Sequence, residues 1–103
     1  MEHDVCALAD LPDGGKLRVD AGGEDVLLCR SSSDIRAVRN MCTHAASTLE
    51  EGRLRNGILS CPLHGARFDL SDGGRCLGGA GYRPLTLFPV RVADGRVLVT
   101  VEG

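Results

Sequence analysis

An all-β fold is predicted by three observations: fourteen glycines in 103 residues, apolar runs that are short and often alternate, and turn dipeptides set between them. The glycine content is twice the average usage of ~7% and suits tight turns joining short elements. Alternation marks strands, because successive side chains of a strand point to opposite faces. Val5 to Leu8, Leu17 to Val19, Val26 to Cys29, Ile35 to Val38, Ile58 to Ser60, Leu87 to Val92 and Val97 to Val101 all read as strands. The breaks fall at Gly22-Gly23-Glu24-Asp25, Ser31-Ser32-Ser33-Asp34, Asn56-Gly57, Asp72-Gly73-Gly74 and Asp94-Gly95. Asn56-Gly57 and Asp94-Gly95 carry the strongest hairpin signal, since a type I′ turn needs positive φ at both central residues. The second joins Val90 and Val92 to Val97, Val99 and Val101, an alternating face suited to packing one sheet on another. No stretch has a helical period, although Asp10 to Gly15 fits a turn. The length predicts a single domain over 1–103, and no repeat, low-complexity tract or linker divides it.

Composition narrows the function. Twelve basic against fourteen acidic residues give a net charge of −2, and Phe68, Tyr82 and Phe88 are the only aromatics. Phosphate binding and base stacking are poorly supported, so no nucleic-acid partner is expected. The N-terminus has acids where a signal peptide has bases, and no long apolar run follows. A soluble, cytoplasmic protein without a membrane partner is the expectation. In that reducing compartment five cysteines read as thiols or metal ligands, and an odd count cannot pair completely within one chain. Cys29, inside Val26-Leu27-Leu28-Cys29, reads as a small buried hydrophobe. Cys6 and Cys76 have no histidine nearby in sequence, and His3 is expected to be solvent exposed.

The remaining two cysteines and two histidines are grouped. Cys42-Thr43-His44 and Cys61-Pro62-Leu63-His64 each carry one thiol and one imidazole, separated by the 16 residues from Ala45 to Ser60. In an extended C-x-H segment the first and third side chains face the same side, so Cys42 and His44 can share a metal centre. The hairpin of Arg53-Leu54-Arg55 with Ile58-Leu59-Ser60 across Asn56-Gly57 would bring Gly52 and Cys61 together, and with them both ligand segments. Gly65 permits a sharp turn after the second pair. Two thiolates and two imidazoles leave zinc and a mixed-ligand iron-sulfur cluster as the candidates. Structural zinc sites usually draw two thiols from one knuckle and two imidazoles from another. One of each per segment suits a [2Fe-2S] centre with one iron on the cysteines and the other on the histidines.

With these residues in view, the chain resembles the Rieske-type [2Fe-2S] ferredoxins of bacterial aromatic-ring-hydroxylating dioxygenase systems. Cys42-Thr43-His44-Ala45 and Cys61-Pro62-Leu63-His64-Gly65 are similar to that family's two ligand loops, and Phe68-Asp69 with Asp72-Gly73-Gly74 to the strand and turn after the second. Cys76-Leu77-Gly78-Gly79-Ala80, Pro84-Leu85 and Phe88-Pro89-Val90 resemble the third loop and the strand returning from it. The resemblance implies a two-sheet antiparallel sandwich or barrel with a small cluster-binding subdomain over approximately 41–82. It implies that Cys42, His44, Cys61 and His64 hold one [2Fe-2S] cluster, and that the protein carries electrons and has no catalytic site of its own. The expected partners are an NAD(P)H-dependent flavoprotein ferredoxin reductase and a terminal oxygenase, docking transiently near His44 and His64 on a monomer. The alternatives are a redox small subunit of another enzyme, such as nitrite reductase, and a structural zinc or redox-sensing protein.

Departures from related patterns sharpen the expectation. Gly79 stands where the third loop commonly has proline, which predicts a looser cover. Ser47 and Leu63 replace the extra cysteines of respiratory Rieske proteins, so no disulfide joins the loops. Ala66 and Phe68 replace a serine and a tyrosine whose hydroxyls bond to sulfur in those proteins. Fewer such hydrogen bonds stabilise the reduced cluster less, which predicts a potential of about −150 mV, the low end of the Rieske range.

Overall fold

The computed structural model describes residues 1–32, 34–43, 47–62, 65–77 and 83–101. Its elements are almost all strands: β1 (Glu2–Ala7), β2 (Lys16–Ala21), β3 (Glu24–Ser31), β4 (Asp34–Arg39), β5 (Leu54–Arg55), β6 (Ile58–Ser60), β7 (Arg67–Asp69), β8 (Arg75–Leu77), β9 (Leu87–Phe88), β10 (Val90–Ala93) and β11 (Arg96–Thr100). They form three antiparallel sheets, ordered β1-β11-β10, β2-β3-β4-β9 and β5-β6-β7-β8. The all-β class and the two-sheet body with a smaller sheet beside it agree with the sequence reading. Single turns of 3₁₀ helix at Leu8–Asp10 and Leu70–Asp72 are the only helical pieces among the described residues.

The predicted turns behave as their dipeptides require. Asn56 and Gly57 have φ of 52° and 77°, Asp94 and Gly95 of 53° and 73°, and the flanking pairs Arg55 with Ile58 and Ala93 with Arg96 face each other. Gly22 and Gly23 form a third turn of this kind between Ala21 and Glu24. Mirror-image turns match the right-handed twist of the strands they join.

β3 explains why its sequence does not alternate. Val26 and Leu28 pack into one core with Cys6, Ala37, Val97 and Val99, while Leu27 and Cys29 pack into a second with Val38, Leu59 and Phe68. The middle sheet is therefore covered on both faces, and a strand buried twice reads as a continuous apolar run. The first core lies against the sheet of β1, β10 and β11. The second lies against the sheet of β5 to β8, and Cys42 and Cys61 belong to it.

Three local expectations need correction. Leu87 to Val92 is two strands, because Pro89 has no N–H for a ladder: Leu87 and Phe88 pair with β4, whereas Val90 onward pairs with β11. The change of partner carries the chain from one sheet to another. The strand predicted at Val5 to Leu8 begins earlier, at Glu2, and yields at Leu8 to the 3₁₀ turn; the turn foreseen at Asp10 to Gly15 follows it. β8 was not foreseen, since Arg75-Cys76-Leu77 is too short to declare a period. His3 is half-buried rather than exposed, its ring resting on Gly22, where a Cβ would stand 2.6 Å from Nε2.

Candidate metal centre

Two loops carry the candidate thiols, and each is closed in the same way. In the first, the Cys42 N–H donates to the carbonyl of Ser47 at 2.8 Å; in the second, the Cys61 N–H donates to that of Ala66 at 2.7 Å. Each bond joins residues five apart in the chain. Cys42 and Cys61 are 3% and 1% exposed and share the second core with Leu49, Leu59, Phe68 and Leu85. None of the five cysteines forms a disulfide.

The hairpin that links the loops does what its sequence predicts. The Ser60 N–H donates to Arg53 at 2.9 Å, and a Cβ on Gly52 would lie 1.8 Å from the Ser60 carbonyl oxygen. No other residue fits there, so glycine at 52 allows the chain leaving the first loop to pass against the chain entering the second. Gly65 has φ of 70° and its N–H donates to the Cys61 carbonyl at 3.0 Å, the sharp turn expected of it.

The first loop is also held by side chains that sequence reasoning missed. Asn40 is 1% exposed; its Oδ1 accepts from the Leu49 N–H at 2.8 Å and its Nδ2 donates to Asp25 at 3.3 Å. Lys16 Nζ donates to the Glu50 carbonyl at 2.8 Å and also to that of Gly52. Arg18 pairs with Asp25 at 2.8 Å and Glu50 at 3.0 Å, so Glu50 is part of a brace from β2 and β3. Thr43 Oγ1 donates to the Arg83 carbonyl at 2.7 Å and fastens the first loop to the chain entering β9. The only advance signal was a polar residue, Asn40, directly after an apolar strand.

His44, Leu63, His64, Gly79 and Tyr82 lie outside the described residues, and so does the third-loop expectation at Gly79. Among the described residues no three His, Cys, Asp or Glu side chains gather into a metal-binding group. Ala66 is half-buried and Phe68 fully buried, and neither has a hydroxyl to offer a neighbouring sulfur. Elsewhere in the same core, burial pushes the Cys29 thiol up to about 12. A thiol so raised stays protonated and is inert as a ligand. Cys6 is raised too, chiefly by burial.

Comparison with known proteins bears on this arrangement. A sequence model of the Rieske [2Fe-2S] domain matches residues 1–89. The ferredoxin component of the naphthalene 1,2-dioxygenase/salicylate 5-hydroxylase systems of a Ralstonia species is 34% identical over 96% of this chain and 94% of its own. Among solved structures, the ferredoxin of carbazole 1,9a-dioxygenase from Nocardioides aromaticivorans IC177 superposes with a TM-score of 0.90, is 27% identical and is covered over 99% of both chains. A chain in the complex of reduced oxygenase and oxidized ferredoxin in carbazole 1,9a-dioxygenase superposes with a TM-score of 0.86 at 31% identity, over 95% of this chain and 91% of that one. Among the described residues, no helix is long and apolar enough to cross a membrane.

Proposed function

Because the chain belongs to the Rieske [2Fe-2S] domain family and its cofactor is a Rieske-type [2Fe-2S] cluster, we propose that it is the electron carrier of an aromatic-ring-hydroxylating oxygenase system. It would pass single electrons from an NAD(P)H-dependent flavoprotein reductase to a terminal oxygenase. The observation that carries this reading is the coverage: ferredoxin components are matched almost end to end, over 94% and 99% of their own chains. Like those relatives, it is an electron-transfer component and not itself the oxygenase.

We assign the cluster to Cys42, His44, Cys61 and His64, within a subdomain over approximately 41–82. The two cysteines suit the group: both are buried in one apolar cluster, neither is in a disulfide, and each heads a loop closed by its own amide. When bound, the cluster takes up and releases one electron at a time. The protein's part is to hold it still and near the surface. Apolar packing below the thiols excludes water, while Met41, Thr43, Pro62, Gly65 and Arg83 at the loop margins are exposed and can meet a partner. Docking near His44 and His64 shortens the transfer path. Ala66 and Phe68 leave the reduced state with fewer hydrogen bonds, which supports a potential of about −150 mV. A monomer in the cytoplasm completes the reading.

Reconstitution tests it. The cluster-loaded protein, mixed with an NAD(P)H-dependent ferredoxin reductase and a naphthalene- or biphenyl-type terminal oxygenase, should support NAD(P)H-dependent hydroxylation that stops when the carrier is omitted. A colourless protein holding stoichiometric zinc after anaerobic purification would overturn the assignment, as would a normal cluster that no reductase and oxygenase pair can use.

A further inference from the structure

The outer face of the third sheet carries three arginines that make no ion pair among the described residues; Asp69, which the same strand places on that face, accepts from Ser71 instead. Leu54, Leu59 and Phe68 point into the second core, so strand alternation turns Arg53, Arg55, Ser60 and Arg67 the other way. Ser60 lies opposite Arg67, Arg55 opposite Ile58, and the Arg53 carbonyl accepts from the Ser60 amide. Arg53, Arg55 and Arg67 are exposed and rim one surface depression of about 270 Å³. The other arginines are treated differently. Arg18, Arg39, Arg75, Arg91 and Arg96 each pair with a carboxylate, and Arg30 and Arg36 donate to backbone carbonyls. Apart from the patch, Arg83 alone has no such bond from its side chain among the described residues.

The chain has fourteen acidic residues and a net charge of −2, yet among the described residues none pairs with these three. Like charges gathered on one face repel and add nothing to the fold, but they raise a local positive potential that steers an oppositely charged surface. The patch also has a telling position. β6 runs from it directly into Cys61, and β7 leaves the second ligand loop through Arg67. We propose that this arginine face is the electrostatic docking surface for a carboxylate-rich face of a protein redox partner, orienting the second ligand loop toward it. The proposal rests on the carrier reading for the identity of the partner as a redox protein, and on geometry for the surface itself.

The test uses the full, cluster-loaded chain and poly-L-glutamate as the acidic probe, titrated at low ionic strength. Wild type should bind, and R53Q/R55Q/R67Q should bind roughly tenfold more weakly, with a flatter salt dependence. R91Q, on another sheet, should bind like wild type. Oxidation of the reduced protein by ferricyanide, a trianion, should slow severalfold in the triple variant if the patch steers charge toward the cluster. Should the triple variant fail to hold its cluster, R55Q and R67Q singly are read by the same titration. Equal binding by wild type and the patch variants overturns the proposal. Tighter binding of an RNA duplex than of polyglutamate, through the same arginines, overturns the choice of a protein partner. Failure of the carrier reading looks different: no reductase reduces the protein, while polyglutamate still selects the three arginines.

Discussion

The two cysteine loops share a closing bond but differ in how they are held. The first, from Cys42 to Ser47, is tied from outside by Asn40, Lys16, Arg18 and Thr43. The second, from Cys61 to Ala66, lies between two paired strands and is held by backbone bonds and the conformation of Gly65. A hairpin loop inherits its shape from the strands that flank it. A loop joining two different sheets has no such frame and must be braced by side chains. Substitutions should therefore damage the two loops by different routes.

The largest effect is expected where the loops touch. Gly52→Ala places a Cβ 1.8 Å from the Ser60 carbonyl oxygen and 3.0 Å from that of Leu49, both backbone atoms that cannot swing away. The hairpin must separate from the first loop, at a cost of at least ~3 kcal/mol. Purified protein should contain little cluster by visible absorbance and have a melting temperature far below wild type. Near-normal cluster content in this variant would show that the loops do not depend on their mutual contact.

Asn40→Ala should come next and act on the first loop alone. It leaves the Leu49 amide without its acceptor among fully buried residues, which costs about 2 kcal/mol. Amide exchange should quicken at Leu49 and Cys42, while Cys61 and Gly65 keep wild-type protection. Equal loss of protection in both loops would mean that the brace serves the whole third sheet.

Much of this contrast could be read in the sequence, and the residues that could not be read are instructive. Asn56-Gly57 announced its hairpin because positive φ at two adjacent residues leaves few dipeptides to choose from. Val26 to Cys29 announced a buried strand, though not that its two faces serve two cores. That Cys42 and Cys61 come together in one core followed from the hairpin between them. Asn40, Lys16 and Arg18 could not be read, because a brace is defined by the distant carbonyl or amide it meets, and that partner has no periodicity or local pattern. Pro89 shows the same limit within a strand: the largely apolar segment from Leu87 to Val92 conceals a change of partner that only the missing amide betrays.

The smallest effect isolates the second loop. Gly65 has φ of 70° and a Cβ there would meet nothing within 4 Å, so Gly65→Ala creates strain without a clash. The left-handed conformation costs a non-glycine residue ~1–2 kcal/mol, and asparagine less, because its side chain tolerates that region. Thermal unfolding should rank wild type first, Gly65→Asn second and Gly65→Ala third, with the Leu49 amide as well protected as before in both variants. Alanine matching asparagine would mean that the loop relaxes out of the left-handed region at no cost; the second loop would then owe its shape to the β6–β7 pairing alone, and the Gly65 turn would follow from that pairing instead of holding it.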